Sequence, residues 1–472
     1  MILNKLSRNI IGVISLIISI IMVFMIININ ILPNKYLFMI IGVELLFLII
    51  CFILINLKRG KFRFLKFIGL LLLFLSMIGN CVIIYYVHNT NRHINNGFTK
   101  TYTETTKYYL LANVNDSNND ISKFTKNTEI KYYKYSRSID KALKLLGNYK
   151  YIDTDNISDA LWNISNNNGY LLISEANYKY LIDSSNIFDE NNYKIIKEFY
   201  VTEKKQRNNE VKDVYNVYIA GLDFTGIMRD FNMIATVNTK THKVVLTSIP
   251  RDYYIDVPAY GMKDTLMALG SLDSEVSKEA LEELFDIKID YTVNINTNSL
   301  VEVVDKLNGI DFCSDYEFTT NHALVESTYD DSNGDKLFVP HGCKHYSGIE
   351  ILAIARERMA FPGRDRVRQQ NCRKIAIEIA KSLISTSTLT NYNDVLNSFD
   401  GLYVTDMNKK TITNLFKSVL NRDNYEIIEQ SVDGYDSIGI GHLGTADTWT
   451  MTPAMDTVYQ ASNKIKEVMK DK

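Results

Sequence analysis

Met233-Ile-Ala-Thr-Val-Asn-Thr-Lys-Thr-His-Lys-Val-Val-Leu-Thr-Ser-Ile-Pro250 reads as two apolar runs around a polar turn. Residues 233–238 and 244–249 carry the β-branched and apolar side chains of strands. Residues 239–243 between them are polar, and Pro250 cannot continue a ladder. The stretch predicts an antiparallel hairpin. With the turn centred on Lys240 and Thr241, residues whose numbers add to 481 face one another. That rule sets Asp230 against Arg251 at the open end, one on each arm. Upstream, residues 214–221 form another buried-strand pattern. If that strand is a neighbour, Asp223 at its end reaches the same rim, with the loop 224–228 behind it.

Downstream, helical and strand periods alternate. Residues 275–285 predict an amphipathic helix, 291–296 a strand, and 299–307 a helix stopped by Gly309. Ser347 and Glu350 form a capping-box signature that opens a helix towards Arg356. Pro362-Gly363 breaks it, and a further helix runs from about 366 to 383. The mixture predicts an α/β fold, an α/β/α sandwich with a mixed central sheet, over residues 211–385. Residues 386–472 hold a helix, strands and a last helix from Asp456, and extend the same domain. Residues 91–210 read as a stalk, weakly periodic to about 130, merging into a small α/β accessory domain.

The first 90 residues differ in kind. Three nearly uninterrupted apolar runs, 9–32, 36–57 and 65–87, are each long enough to cross a ~30 Å hydrocarbon core as a helix. Lys5 and Arg8 precede the first, and Lys58, Arg59, Lys61, Arg63 and Lys66 lie around the second loop, whereas the first loop holds only Lys35. The positive-inside rule then predicts a multi-pass cell-membrane protein with a cytoplasmic N-terminus and the bulk of the chain extracellular. No small-residue cleavage site follows the first run, so it reads as an anchor. A net charge of −2 argues against broad nucleic-acid binding.

Of 15 arginines, six fall between residues 356 and 373: Arg356, Arg358, Arg364, Arg366, Arg368 and Arg373. Elsewhere the chain prefers Lys. Local use of Arg favours bidentate grip on phosphate or carboxylate, although a solvated basic helix face has the same composition. Asp223 and Asp230 together could hold Mg²⁺ (or Mn²⁺), with Arg251 on the same phosphates; a surface Asp–Arg pair is the equally weighted alternative. Cys313 and Cys343 are candidates for a disulfide in an exported domain, against three unrelated thiols, and Cys372 reads as a buried thiol. His341 and His345 read as solvated loop residues rather than metal ligands.

Three motifs then converge: Thr247-Ser-Ile-Pro-Arg-Asp252 after a strand, Arg356-Glu-Arg358, and Asp365-Arg-Val-Arg-Gln-Gln370. In this order they resemble the LytR-CpsA-Psr family. Asn238-Thr-Lys-Thr-His-Lys243, three N-terminal spans and an accessory domain resemble its capsule-type members. The resemblance implies a phosphotransferase that moves a glycopolymer, capsule or teichoic-acid type, from polyprenyl pyrophosphate to a peptidoglycan hydroxyl. Its implied partners are the lipid-linked glycan, the peptidoglycan acceptor and membrane lipid. It implies metal-linked Asp223 and Asp230, one of which would help deprotonate the acceptor, and pyrophosphate contacts from Arg251, Arg356, Arg358, Arg366 and Gln370, with Arg229 near the second aspartate. Met228, Thr265 and Gly363 depart from the family pattern. They motivate an alternative, a polyprenyl-phosphate-binding or weakly active homologue with a regulatory role. Ile375, Ile377, Ile379, Leu383, Val293 and Ile295 could line a lipid tunnel or simply pack a core.

Overall fold

In the computed structural model the hairpin forms in the expected register: Asn232 faces Ile249, Met233 faces Ser248 and Asn238 faces Lys243. The structure describes residues 5–471 except 58–62, 98–100, 167–168, 185–187, 209, 224–225, 273, 297, 325–333, 384–402, 421–424 and 444–447. Lys58, Arg59, Lys61, Phe224 and the start of the 386–472 extension therefore lie outside the described residues, as does the side chain of Leu383.

Three apolar helices open the chain: α1 (Lys5–Ile29), α2 (Asn34–Asn56) and α3 (Arg63–Gly97). Each is long and apolar enough to cross a membrane. Their one acidic junction joins all three. Glu44 accepts from Ser19 at 2.6 Å and from Asn80 at 2.7 Å, and Asn80 also bonds Ser19 at 2.9 Å. Inside hydrocarbon such bonds have no water to compete with them.

The accessory sheet contains β1 (Thr101–Asn113), β2 (Glu129–Tyr133), β3 (Lys150–Thr154), β4 (Tyr170–Ser174) and β5 (Tyr193–Gln206), in the order β3-β2-β4-β1-β5. Helices α4 (Ile139–Leu146), α5 (Ile157–Ser165) and α6 (Glu175–Ser184) accompany it. The expected stalk is thus partly corrected: α3 runs on to Gly97, and β1 is a long inner strand. Its polar first half hides the strand signal, while Tyr108 to Ala112 are buried between β4 and β5.

The main sheet is built from β6 (Val214–Leu222), β7 (Arg229–Asn238), β8 (Lys243–Ile249), β11 (Tyr291–Asn296), β16 (Tyr403–Thr405) and β17 (Glu426–Ser431), ordered β16-β11-β6-β7-β8-β17. β11 runs parallel to β6 and β17 parallel to β8; the other pairings are antiparallel. A small pair, β9 (Tyr254–Val257) and β10 (Met262–Thr265), follows the hairpin. One face packs on α7 (Ser274–Phe285) and the last helix, α12 (Met455–Lys470), through Leu281, Phe285, Val458 and Ile465. The other receives Ile377 of α10 (Asp365–Leu383) and Ile412 and Leu415 of α11 (Lys409–Leu420) over Met233 and Leu246. The result is the expected three-layer α/β/α sandwich with a mixed sheet.

A third cluster joins α8 (Asn298–Lys306), β12 (Ile310–Ser314), β13 (Phe318–Ala323), β14 (Lys336–Val339), β15 (Gly342–Tyr346) and α9 (Gly348–Arg356). Cys313 and Cys343 sit opposite in the β12–β15 register and are disulfide-bonded. His345 lies on β15, exposed, and bonds Asp311 and the Asn308 carbonyl, each at 2.7 Å. The last pair, β18 (Gly434–Gly439) and β19 (Thr448–Pro453), precedes α12.

Two seams tie the units together. Between the accessory and main domains, Tyr133 donates to the His442 carbonyl at 2.8 Å and Tyr180 stacks on the His442 ring. That ring bonds Asp264 on one side and Ser271 at 3.1 Å on the other. At the membrane helices, Lys409 reaches Asn91 and Asn95 at 2.9 and 2.6 Å, and Lys417 reaches Asn30 and Asn34 at 3.2 and 3.4 Å.

Candidate active site

The rim where β6 and β8 end and β7 begins gathers the charged residues. Arg251, just past β8, pairs with Asp230 across the hairpin mouth. Its Nε also lies 3.7 Å from Asp252 and 3.8 Å from Asp365. From the first turn of α10, Arg368 meets Asp365 at 2.6 Å and donates to the Asp230 carbonyl at 2.7 Å. Gln369 donates to the same carbonyl at 3.1 Å, and its own Oε1 is buried with no hydrogen-bond partner.

The other predicted arginines divide. Helix α9 ends at Arg356 with Glu357 as its cap, so the chain leaves helical geometry between Arg356 and Arg358. Glu357 fixes the chain there by accepting the backbone N–H groups of Asn321 and of Ala360, the latter at 2.8 Å, while fully buried. Arg358 comes close enough to Arg251 and Arg368 to feel their charge. Burial first, then those two cations, push its guanidinium below its ordinary value.

Arg366 turns to the neighbouring end of β17, where the Val432 N–H bonds the Ser248 carbonyl at 3.2 Å. It pairs with Asp433 and donates to the Gly434 carbonyl at 2.8 Å, both beyond β17. Arg368 and Gln369, which sequence reasoning passed over in favour of Arg366 and Gln370, are the α10 residues that bond the Asp230 backbone. Gln370 is half-buried next to them.

Arg229 is a correction. A ladder irregularity beside Gly221 and Leu222 shifts the register at the start of β7. Arg229 is sealed in, 2% exposed, donating to Asn294 at 2.8 Å and lying over the Tyr218 ring. Its partners lie on β11 and β6, whereas the Asp230 carboxylate pairs with Arg251 past β8, so it does not join the arginine cluster. Met228 and Thr265, two of the departures from the family pattern, are both buried.

Asp223 organises its own loop. Its Oδ1 accepts the N–H groups of Ile227 and Met228, each at 3.0 Å, and its backbone N–H bonds the Met228 carbonyl at 2.8 Å. Burial raises the Asp230 carboxyl, but Arg251, Arg368 and Arg358 outweigh it and hold it below the ordinary range. Asp252 goes the other way: burial raises it more than Arg251 lowers it. Among the described residues no group of three or more His, Cys, Asp or Glu side chains is placed to hold a metal. The donors available at this rim are all oxygens, from Asp223, Asp230 and Gln369. That chemistry suits Mg²⁺, whose remaining positions water and phosphate would fill.

The tunnel candidates also divide. Ile377 and Val293 pack against the apolar layer under α10 and α11, Ile375 and Ile379 belong with the disulfide-bearing cluster, and Ile295 is 38% exposed. Cys372 is half-buried, its thiol against the Ala355 carbonyl, and burial pushes it up to about 11.

The three-layer sandwich thus brings arginines from two segments together on one aspartate at a hairpin mouth. The LytR_cpsA_psr family model matches residues 180–465, and the chain belongs to that family. Over 294 residues it is 26% identical to the polyisoprenyl-teichoic acid–peptidoglycan teichoic acid transferase TagU of Bacillus cereus (strain AH820), spanning 60% of this chain and 88% of that protein. It is 27% identical over 215 residues to the TagU of Enterococcus faecalis (strain ATCC 700802 / V583), covering 44% of this chain and 66% of that one. Among solved structures, TagV of B. subtilis matches 56% of this chain and 100% of its own, at 18% identity and a TM-score of 0.46.

Proposed function

We propose that this chain is a membrane-anchored transferase that moves a glycopolymer from a polyprenyl pyrophosphate carrier to peptidoglycan. The observation that carries the reading is the convergence of Arg251, Arg358 and Arg368 at one rim. Their three charges are balanced there by Asp230, Asp252 and Asp365. A pyrophosphate diester adds about two negative charges to that balance. Arg356 and a divalent cation on Asp223 and Asp230 would answer them. Bound there, Mg²⁺ would supply charge neutralisation between the two phosphates.

The residues present do the rest. Arg251 and Arg358 hold the non-bridging phosphate oxygens, and Arg368 with Gln369 fixes the Asp230 backbone. An acceptor hydroxyl oxygen bonds to the sugar-linked phosphorus, the P–O–P bridge breaks, and polyprenyl phosphate leaves with the electron pair. The hydroxyl proton passes to a nearby carboxylate or to the departing phosphate. Asp230, held ionised, accepts a hydrogen bond from that hydroxyl and orients it. Cleavage of a bond already activated as an anhydride needs no nucleotide, so the domain can work on the outer face of the membrane, with the N-terminus cytoplasmic. The family relatives named for teichoic acid transfer support the reaction class; a capsule-type polymer would present the same pyrophosphate.

A second reading rests on the buried Met228 and Thr265 and on the diverted Arg229, which leave the rim with fewer cations than the family pattern has. On that reading the chain binds polyprenyl phosphate with little turnover. Purified full-length protein given a pyrophosphate-linked lipid and Mg²⁺ separates the two. Transfer or cleavage that falls by at least about 100-fold in Arg251→Ala supports the transferase. Equal, residual rates in both proteins, with lipid still bound, support the binding protein.

A further inference from the structure

Arg229, expected at the reaction rim, is taken into the interior by the fold, and it does not go to a carboxylate. Among the described residues no acidic side chain lies within ion-pair distance of it, and its Nε is buried with no hydrogen-bond partner. Its contacts are the neutral Asn294 amide and the face of Tyr218. A guanidinium stays charged at any accessible pH, and buried charges are normally paired. The geometry itself is rigid: Gly270 passes so close that a Cβ there would lie 3.1 Å from Arg229 Cγ and 2.1 Å from the Ile227 carbonyl oxygen.

The side chain lines a cavity of about 330 Å³ between the accessory strand β1 and the ends of β6, β7 and β11. That volume suits a ligand the size of a monosaccharide or smaller. The opposite wall comes from the accessory domain and presents Thr103, Thr105, Arg137 and Ser174. The acidic groups on the wall already have cations opposite them: Glu104 Oε2, itself buried without a hydrogen bond, lies 2.8 Å from Lys205 and 3.9 Å from Arg137, and Glu175 lies 3.4 Å from Lys179. The unmet demand in the cavity is therefore for negative charge, set among hydroxyls.

We infer that this cavity between the domains is a binding site for a small oxyanion, a phosphate or a carboxylate, with Arg229 as its anchoring cation. The site is separate from the arginine cluster, because Arg229 turns to Tyr218 of β6 and Asn294 of β11 while Asp230 pairs with Arg251 past β8. It would give the accessory domain a ligand-dependent hold on β7, the strand that carries Asp230. Phosphate and carboxylate are distinguished only by the probe.

Calorimetric titration of the full chain in detergent, with inorganic phosphate in one arm and glucuronate in the other, tests this. Each titration is repeated in Arg251→Ala, which removes a main contact for phosphate at the rim. The expected result is a binding event that persists in Arg251→Ala and weakens at least about tenfold in both Arg229→Met and Ala176→Phe. Ala176→Phe fills the cavity from the accessory side and leaves Arg229 in place, so it decides the matter if Arg229→Met does not fold. Binding in one arm alone assigns the oxyanion class. Failure of both anions to bind the wild type, or binding that survives Ala176→Phe, overturns the inference. Neither result depends on transferase activity.

Discussion

Arg366 and Arg368 are two residues apart, and replacing each by Met should separate them sharply. Arg368 is 4% exposed and meets a carboxylate that is 5% exposed. Two unit charges about 4 Å apart interact by roughly 4 kcal/mol at an effective dielectric near 20. Breaking a buried pair on one side costs about 3–5 kcal/mol, because Asp365 is left charged and short of partners. Loss of the bond to the Asp230 carbonyl adds about 1 kcal/mol or more. Arg251, 3.8 Å from Asp365, would recover part of this, so about 4 kcal/mol is the net expectation. Arg366 and Asp433 have side chains 41% and 53% exposed, and an ion pair in that setting contributes at most about 1 kcal/mol. For a domain of this size about 2–4 °C of melting temperature accompany each kcal/mol. Arg368→Met should lower the main-domain transition by roughly 8–16 °C, and Arg366→Met by no more than about 4 °C. Thermal melts of the full chain in detergent, with a salt series to screen the exposed pair, read both. Equal shifts for the two variants would refute the placement of Arg368 as the buried anchor.

Asp230 should make stability fall in acid. Its folded pKa is depressed, so its contribution is complete above the unfolded value near about 4 and is lost as pH drops through the lower folded value; Asp230→Asn should flatten the melting-temperature profile below about pH 4. Asp252 has the opposite sign, and Asp252→Asn should stabilise the fold near neutrality. Removing the disulfide with Cys313→Ser and Cys343→Ser opens a loop spanning a separation of 30 residues, which the chain-entropy estimate puts at roughly 3–4 kcal/mol; reduction should lower the melting temperature of the wild type and leave the double variant unchanged. Cys372, with its thiol near 11, should resist alkylation at pH 8 in the folded protein and react on unfolding.

The hairpin could be read in advance because period and turn length set antiparallel register: Asn232 to Ile249 and Asn238 to Lys243 obey one sum. Where pairing is regular, sequence number translates into position. It fails at the start of β7. One ladder irregularity decides whether Arg229 or its neighbour faces the rim, and no residue type announces it. Helix phase produced the other miss. The i,i+4 spacing of Arg366 and Gln370 puts them on one helix face, but which face meets the sheet depends on how α10 docks. The long β1 strand was hidden for a third reason. Its threonines, Glu104 and Lys107 cover the part half open to solvent, and only its later residues show the apolar run of a core strand.

Lys409 and Lys417 sit on α11, the same helix that closes one face of the central sheet, and they grip the ends of all three membrane helices. These bonds hold the domain with α11 beside the ends of the membrane helices. For a substrate whose isoprenoid stays among the lipids, encounter becomes a search in two dimensions, and the reach from bilayer to arginines becomes a built-in length. Lengthening or shortening α3 beyond the membrane would change that reach without touching any residue of the rim.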